Sequence, residues 1–207
     1  MPSAETPSQP DPEEPSSAGS AASRPRRRVA VTVAIVLALS AWLLDQGTKL
    51  WVEGSMELGQ QIDAIPPVLY WRYHLNPGAA FSMGTDHTWV FTIIQSVVLG
   101  VGLFYLSRLG GSWLWTLGVG GLIGGVAGNL TDRLFRAPSL VEGSFEQFGQ
   151  GHVVDMIAVP HFAVFNVADS FIVCSIIGLC AMMLFGLNMD GTRDGKRKPT
   201  PDDAEAN

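Results

Sequence analysis

Four runs of apolar residues, with polar residues returning between them, set the pattern of this chain. They cover about Val29 to Leu44, Trp89 to Leu106, Trp113 to Leu130 and Phe162 to Leu187. Each is near or above the roughly 17–20 residues that a helix needs to cross a bilayer. The first reaches that length only by extending into Asp45–Lys49, which puts Asp45 near a membrane surface. The pattern predicts an α-helical integral membrane protein with four transmembrane helices. Two longer connections separate them, at about residues 50–88 and 131–161. In the first, Pro66 and Pro67 break the chain, and Val68 to Leu75 is rich in aromatic and branched residues, as strands are. Asn76-Pro77-Gly78 reads as a turn, and Ala79-Ala80-Phe81 as a second short strand. A small extracytoplasmic β-sheet is expected there.

Composition sharpens this picture. Charged residues make up 15% of the 207 residues and hydrophobic ones 47%, against about 25% charged in a typical soluble domain. Much of the charge lies in two tails, residues 1–28 and 190–207, so the net charge of −6 says little about the core. Residues 1–23 lack the apolar content to pack and read as a disordered cytoplasmic tail, followed by a basic cluster of Arg24, Arg26, Arg27 and Arg28. With both termini inside, the inner face carries nine of the 13 lysines and arginines, and Lys49, Arg72, Arg133 and Arg136 face outward. That bias predicts cytoplasmic termini. Arginines, an apolar run and Ala38-Leu39-Ser40 also resemble a cleavable signal peptide, but three further spans favour an anchored first helix. No basic patch with interleaved aromatics points to nucleic acid. Cys174 and Cys180 are about 9 Å apart along a helix, too far for a disulfide. The four histidines show no metal-ligand spacing, so no metal site is expected.

Polar residues in apolar spans are costly and mark function or helix contacts. Here they gather near the outer helix ends: Asp45 on the first, Asn129, Asp132 and Arg133 on the third, Asn166 and Asp169 within the first two turns of the fourth. Asp155 falls in the loop just before it. Asp169 is expected about 10 Å along its helix from Phe162, where Asp155 can fold down to meet it. Two close carboxylates cannot both ionise readily and share a proton; the ionised member can take a proton from water while the protonated one polarises a carbonyl. Plainer roles compete: helix-end caps or interhelical hydrogen bonds for Asp45 and Asn166, an ion pair for Asp132 with Arg133, an ordinary surface acid for Asp155. The GxxxG spacings Gly120–Gly124, Gly121–Gly125 and Gly124–Gly128 predict close helix packing. The six tryptophans, mostly near span ends, read as interfacial anchors.

Five boxes also carry a family resemblance. Asp45-Gln46-Gly47-Thr48-Lys49, Asn76-Pro77-Gly78-Ala79-Ala80-Phe81, Gly128-Asn129-Leu130-Thr131-Asp132-Arg133, Val153-Val154-Asp155-Met156-Ile157 and Phe165-Asn166-Val167-Ala168-Asp169 resemble, in order, the DQxxK, NxGAAF, GNxxDR, VVDFI and FNxAD boxes of the lipoprotein signal peptidases. Met156 stands where that family usually has Phe. The resemblance implies an aspartyl endopeptidase, free of metal and cofactor, that cleaves a prolipoprotein just before its diacylglyceryl-modified cysteine. It implies Asp155 and Asp169 as the catalytic pair. Asp45, Lys49, Asn76, Gly78, Asn129, Asp132, Arg133, Asn166 and Ala168 are implied to shape the site or hold substrate. Lipid-modified precursors and membrane lipids are the expected partners of a monomer in the bacterial cytoplasmic membrane, with the site near its outer face. The outer sheet and the loop over residues 134–161 are expected to clamp the substrate from above. A proton-coupled transporter, a non-catalytic assembly factor and a presenilin-type protease are the other readings; four spans without an inverted repeat weigh against the first, and the missing GxGD box against the last.

Overall fold

A computed structural model describes residues 27–78, 88–136 and 148–193. Its elements in chain order are α1 (Arg27–Ser55), β1 (Gln61–Ile65), β2 (Leu69–Asn76), α2 (Thr88–Leu106), α3 (Trp113–Phe135), β3 (Val153–Ala158) and α4 (Val167–Leu184). All four helices are long and apolar enough to span a membrane. The acidic N-terminal tail, Ala79-Ala80-Phe81, residues 137–147 of the 134–161 loop and the tail beyond Arg193 lie outside the described residues.

α3 is the central helix and packs against the other three, while α1 also touches α4 and α2 packs extensively only on α3. Small residues permit this. Ala34, Ala38 and Ala41 of α1 meet Gly120 and Gly124 of α3, where a Cβ at Gly124 would lie 2.5 Å from the Ala38 carbonyl oxygen and 2.8 Å from Ala41 Cβ. A second stripe, Gly118, Gly121 and Gly125, faces α4 at Leu179, Ser175 and Ala168. The glycine spacings thus serve two neighbours at once, the close approach that small residues give in a bilayer.

The sheet is antiparallel in the order β1-β2-β3. It corrects three expectations. Its third strand comes from 153–158, so Asp155 sits on a strand and not in a loop. α1 does not end near Lys49 but continues to Ser55, because the polar residues of its last turns find partners in the bundle. α4 begins at Val167, not near Phe162. The stretch before it turns at Pro160-His161, with His161 at φ 62°, and runs back along β3 through paired Ile157 and Phe165 hydrogen bonds of 2.7 and 3.0 Å. Asn166 then caps α4, so Asp169 lies in its first turn and not about 10 Å along it.

Alternation along β3 sends Val154 and Met156 one way and Asp155 the other. Val154 and Met156 join Val52 of α1 and Met56 just beyond it in a small core with Trp71, Tyr73, Leu75 and Ile157. Met156 is fully buried there, so the sulfur-containing side chain fills the space assigned to the expected aromatic. Trp71 meets Trp51 edge-on at 5.7 Å. The sheet is therefore seated on the end of α1. Two of the expected anchors have other work: Trp42 Nε1 donates to Thr131 Oγ1 at 3.0 Å and Trp115 Nε1 to the Leu187 carbonyl at 2.8 Å.

Gly124→Ala is expected to push α1 from α3 and cost about 1–3 kcal/mol, as overpacking does. Gly100→Ala on α2, with nothing within 4 Å, should leave stability equal or slightly higher. Thermal unfolding of the two variants in detergent separates these outcomes.

Candidate active site

The end of the bundle nearest the sheet holds the polar residues that the apolar spans could not otherwise carry. Lys49, fully buried, places its ammonium 2.7 Å from Asp45 and 2.8 Å from Asp132, both also fully buried. It donates a further hydrogen bond to Asn129 Oδ1 at 3.1 Å. Gln46 Nε2 lies 3.2 Å from Asp45 Oδ2 and 3.1 Å from Asp132 Oδ1. Arg136 adds a second cation on Asp132, 2.8 Å from Nε to Oδ1, and also pairs with Glu53 of α1. Asp132 therefore pairs with Lys49 and Arg136 rather than with Arg133, as the ion-pair alternative supposed.

This network reaches both other layers. The Val154 amide of β3 donates to Asp132 Oδ2 at 3.2 Å, and the Ala168 amide of α4 to Asp45 Oδ1 at 2.9 Å. Ala168 is fully buried where three helices meet, 3.1 Å from a Cβ placed on Gly128. A larger residue has no room there.

Asn129 carries the order forward. Its Oδ1 accepts from Lys49 and, at 3.0 Å, from Asn166 Nδ2. That leaves its Nδ2 to donate to Asp169 Oδ1 at 2.7 Å. Asp169 Oδ2 accepts from the Asn166 amide at 3.2 Å, while the Asp169 amide donates back to Asn166 Oδ1 at 2.9 Å. This reciprocal pair is a capping box. The same Asn166 donates to Asp155 Oδ1 at 2.7 Å, so one side chain caps α4 and joins the two carboxylates. Asn76 Nδ2 donates to Asp155 Oδ2 at 2.9 Å. Its own Oδ1 accepts from the Gly78 amide at 3.0 Å. Arg133 grips this turn by donating to the Pro77 and Gly78 carbonyls at 3.2 and 2.6 Å.

Asp155 and Asp169 line one cavity of about 550 Å³, with Asn76, Gly78, Asn129 and Arg133 around them and Phe91, Ile172 and Val173 beyond. Burial, and then the neighbouring Asp169 carboxylate, push the Asp155 carboxyl up from the usual range to about 7. The flanking histidines move the other way. Burial first, then Arg72 for His74 and Arg133 for His152, holds both below the usual imidazole value. All the residues singled out from sequence thus meet in one connected set. Asp45, Lys49, Asp132 and Ala168 lie behind the cavity, and the rest line it or bond to groups that do. Sequence reasoning passed over Gln95, a cavity-lining amide of α2. A lone amide inside an apolar span was the signal that could have found it.

Two buried carboxylates with amide donors, in a mostly apolar cavity at one end of a four-helix membrane bundle, define a membrane hydrolase of the aspartic class. The comparisons agree. The family model for signal peptidase (SPase) II matches residues 37–185. The lipoprotein signal peptidase of Streptomyces coelicolor is 44% identical over 169 residues, 82% of this chain and 78% of its own. That of Mycobacterium avium is 38% identical over 187 residues, 90% and 96% of the two chains. Two solved structures described as bacterial membrane enzymes share the fold. One has a TM-score of 0.66 at 23% identity, covering 82% of this chain and 95% of its own. The other has a TM-score of 0.62 at 25% identity, covering 74% and 93%. The chain belongs to the signal peptidase II family, a family of aspartic peptidases.

Lys49→Met would leave Asp45 and Asp132 buried against each other without the shared cation. Breaking such a buried pair costs about 3–5 kcal/mol. A matching drop in thermal stability is expected, partly restored when Asp45→Asn is added; unfolding of the single and double variants checks it.

Proposed function

We propose that Asp155 and Asp169 are the proton-sharing pair of an endopeptidase that removes the signal peptide from a lipid-modified prolipoprotein, cutting just before the diacylglyceryl-bearing cysteine. The observation that carries this reading is the convergence of two buried carboxylates, one from β3 and one from α4, on one largely apolar cavity. The names of the relatives, lipoprotein signal peptidases, supply the substrate class.

At neutral pH the pair shares one proton, since burial and the neighbouring carboxylate raise the Asp155 carboxyl. With that proton on Asp155, Asp169 is the ionised member. It takes a proton from a water molecule as the water oxygen bonds to the scissile carbonyl carbon. Asp155 donates its proton toward the carbonyl oxygen, giving a tetrahedral diol. Collapse breaks the C–N bond: the amine nitrogen gains a proton from Asp169, and Asp155 recovers one from a diol hydroxyl as the carboxylic acid forms. The pair ends with the one proton it began with. Asn76, Asn129 and Asn166 hold the two carboxyl groups in place throughout.

The charge bias favours both termini in the cytoplasm. The sheet and the carboxylate pair then lie near the outer face of the bacterial cytoplasmic membrane, where the acyl chains of a modified cysteine remain in the outer leaflet. Residues 29–189 form the peptidase unit, with 1–28 and 190–207 as cytoplasmic tails. No step calls on a metal or cofactor.

The direct experiment is cleavage of a diacylglyceryl-modified prolipoprotein by purified protein, with and without a chelator. Cleavage before the lipidated cysteine is expected, unchanged by the chelator, and reduced about 10²–10⁴-fold in folded Asp155→Asn and Asp169→Asn variants. A folded wild type that does not cleave would sink the proposal. The pH profile is a second check. His74 and His152, which flank the cavity, are held below the usual imidazole value by burial. Because Asp155 is raised to about 7, its proton is present below that pH and lost above it. Turnover is expected to fall by about tenfold per pH unit on the alkaline side.

A further inference from the structure

Among the described residues, two buried side-chain polar atoms have no hydrogen-bond partner: Gln95 Oε1 and Arg133 Nε. Both side chains line the cavity of the carboxylate pair. Buried polar groups are nearly always partnered, so two exceptions in one cavity mark where a ligand's polar groups belong. Arg133 is already committed through its other nitrogens to the Pro77-Gly78 turn. Gln95 is not used by anything described so far. The nearby hydroxyls of α2 are satisfied within the chain: Thr92 donates to the Gly149 carbonyl and Ser96 to the Thr92 carbonyl.

Depth gives the ligand's identity. Gln95 lies about 10 Å along α2 from Thr88. On α4, the cavity-lining Val173 and Cys174 lie about 6–8 Å beyond Asp169. Gln95 therefore faces the portion of the cavity further into the apolar layer than the carboxylates. With the scissile bond at Asp155 and Asp169, the signal segment on its amino side runs into this portion. This step rests on the peptidase reading above. A peptide segment drawn out of its helix for hydrolysis loses the intrahelical partners of its N–H groups as well as of its carbonyls, and the unpartnered Gln95 Oε1 is an acceptor for such an N–H. At membrane depth each freed backbone group must find a partner. A primary amide offers both a donor and an acceptor, the complement of one peptide group.

We propose that Gln95 binds a backbone peptide group of the signal segment on the amino side of the cut and so sets its register over the carboxylate pair. It is a substrate-binding residue on α2, outside the five sequence boxes, and it recognises main chain, a chemistry common to precursors of different sequence.

The test uses the full chain carrying Gln95→Leu, with Gln95→Met in reserve should the first fail to fold. Removing an unpartnered buried polar group should leave the melting temperature equal or higher. Cleavage of the lipid-modified precursor should fall about tenfold in kcat/KM, mainly through KM, as loss of one hydrogen bond implies. Synthetic substrates with one backbone amide replaced by an ester, at each of the peptide groups preceding the cut, then locate the contact. At one position the ester should weaken cleavage by the wild type and have no further effect on the variant. A variant with unchanged kcat/KM, or losses that simply add at every ester position, would overturn the inference while leaving the peptidase reading intact. A folded wild type that cleaves no substrate would overturn both.

Discussion

Lys49 carries a full charge into the apolar end of the bundle, and its position there depends on Asp45 and Asp132 lying on either side of it. α1 and α3 must come close for that to happen. Small residues make it possible: Ala38 and Ala41 against Gly124, and Gly128 directly beneath the Asp45 carboxylate. Once seated, the ammonium determines which way the Asn129 amide points, since an oxygen that accepts from Lys49 and Asn166 leaves only nitrogen for Asp169. A structural ion cluster thereby sets the hydrogen bonding of a carboxylate it does not touch. The pattern is that of a buried layer that orients the carboxylates of the cavity.

The two carboxylates reach the cavity by different routes. Asp169 belongs to the first turn of a helix whose cap is Asn166, so its position is as well defined as the start of α4. Asp155 belongs to a strand bonded on one side to β2 and on the other to the stretch that leads into that cap. The link from Ile157 to Phe165 ends at Asn166, and Asn166 bonds to both acids. Strand, turn and helix start form a closed circuit around the pair. Loop placement of either acid would have left its separation from the other to fluctuate.

Much of this was legible from sequence, for reasons that differ by residue. The four spans follow from apolar length alone, and β2 from its run of aromatic and branched residues. Asp45, Asn129, Asp132 and Asp169 stood out because charge and amide groups are rare at such depth. Less was legible where long-range pairing decided the outcome. Val153 to Ala158 became a strand through β2, some eighty positions earlier, and nothing local distinguishes it from an apolar loop. The start of α4 was misplaced because Phe162 to Phe165 continue the apolar run, whereas Pro160 and the pairing with β3 hold them extended. Asp132 and Arg133 are adjacent and opposite in charge, yet consecutive helix positions point apart, and each found its partners elsewhere.

Among the described elements α2 packs extensively only on α3, and the cavity extends between it and α4 to side chains such as Val173 that face outward from the bundle. Among the described residues the pocket thus reaches the flank of the bundle. A molecule dissolved in lipid can reach it by sliding sideways, without first passing through water. Encounter then becomes a two-dimensional process, governed by the number of molecules per unit of membrane area rather than per unit volume. Crowding of the bilayer, its fluidity and the partitioning of precursors between lipid environments would set the rate of supply, while soluble peptides of the same sequence remain outside the compartment in which the enzyme searches.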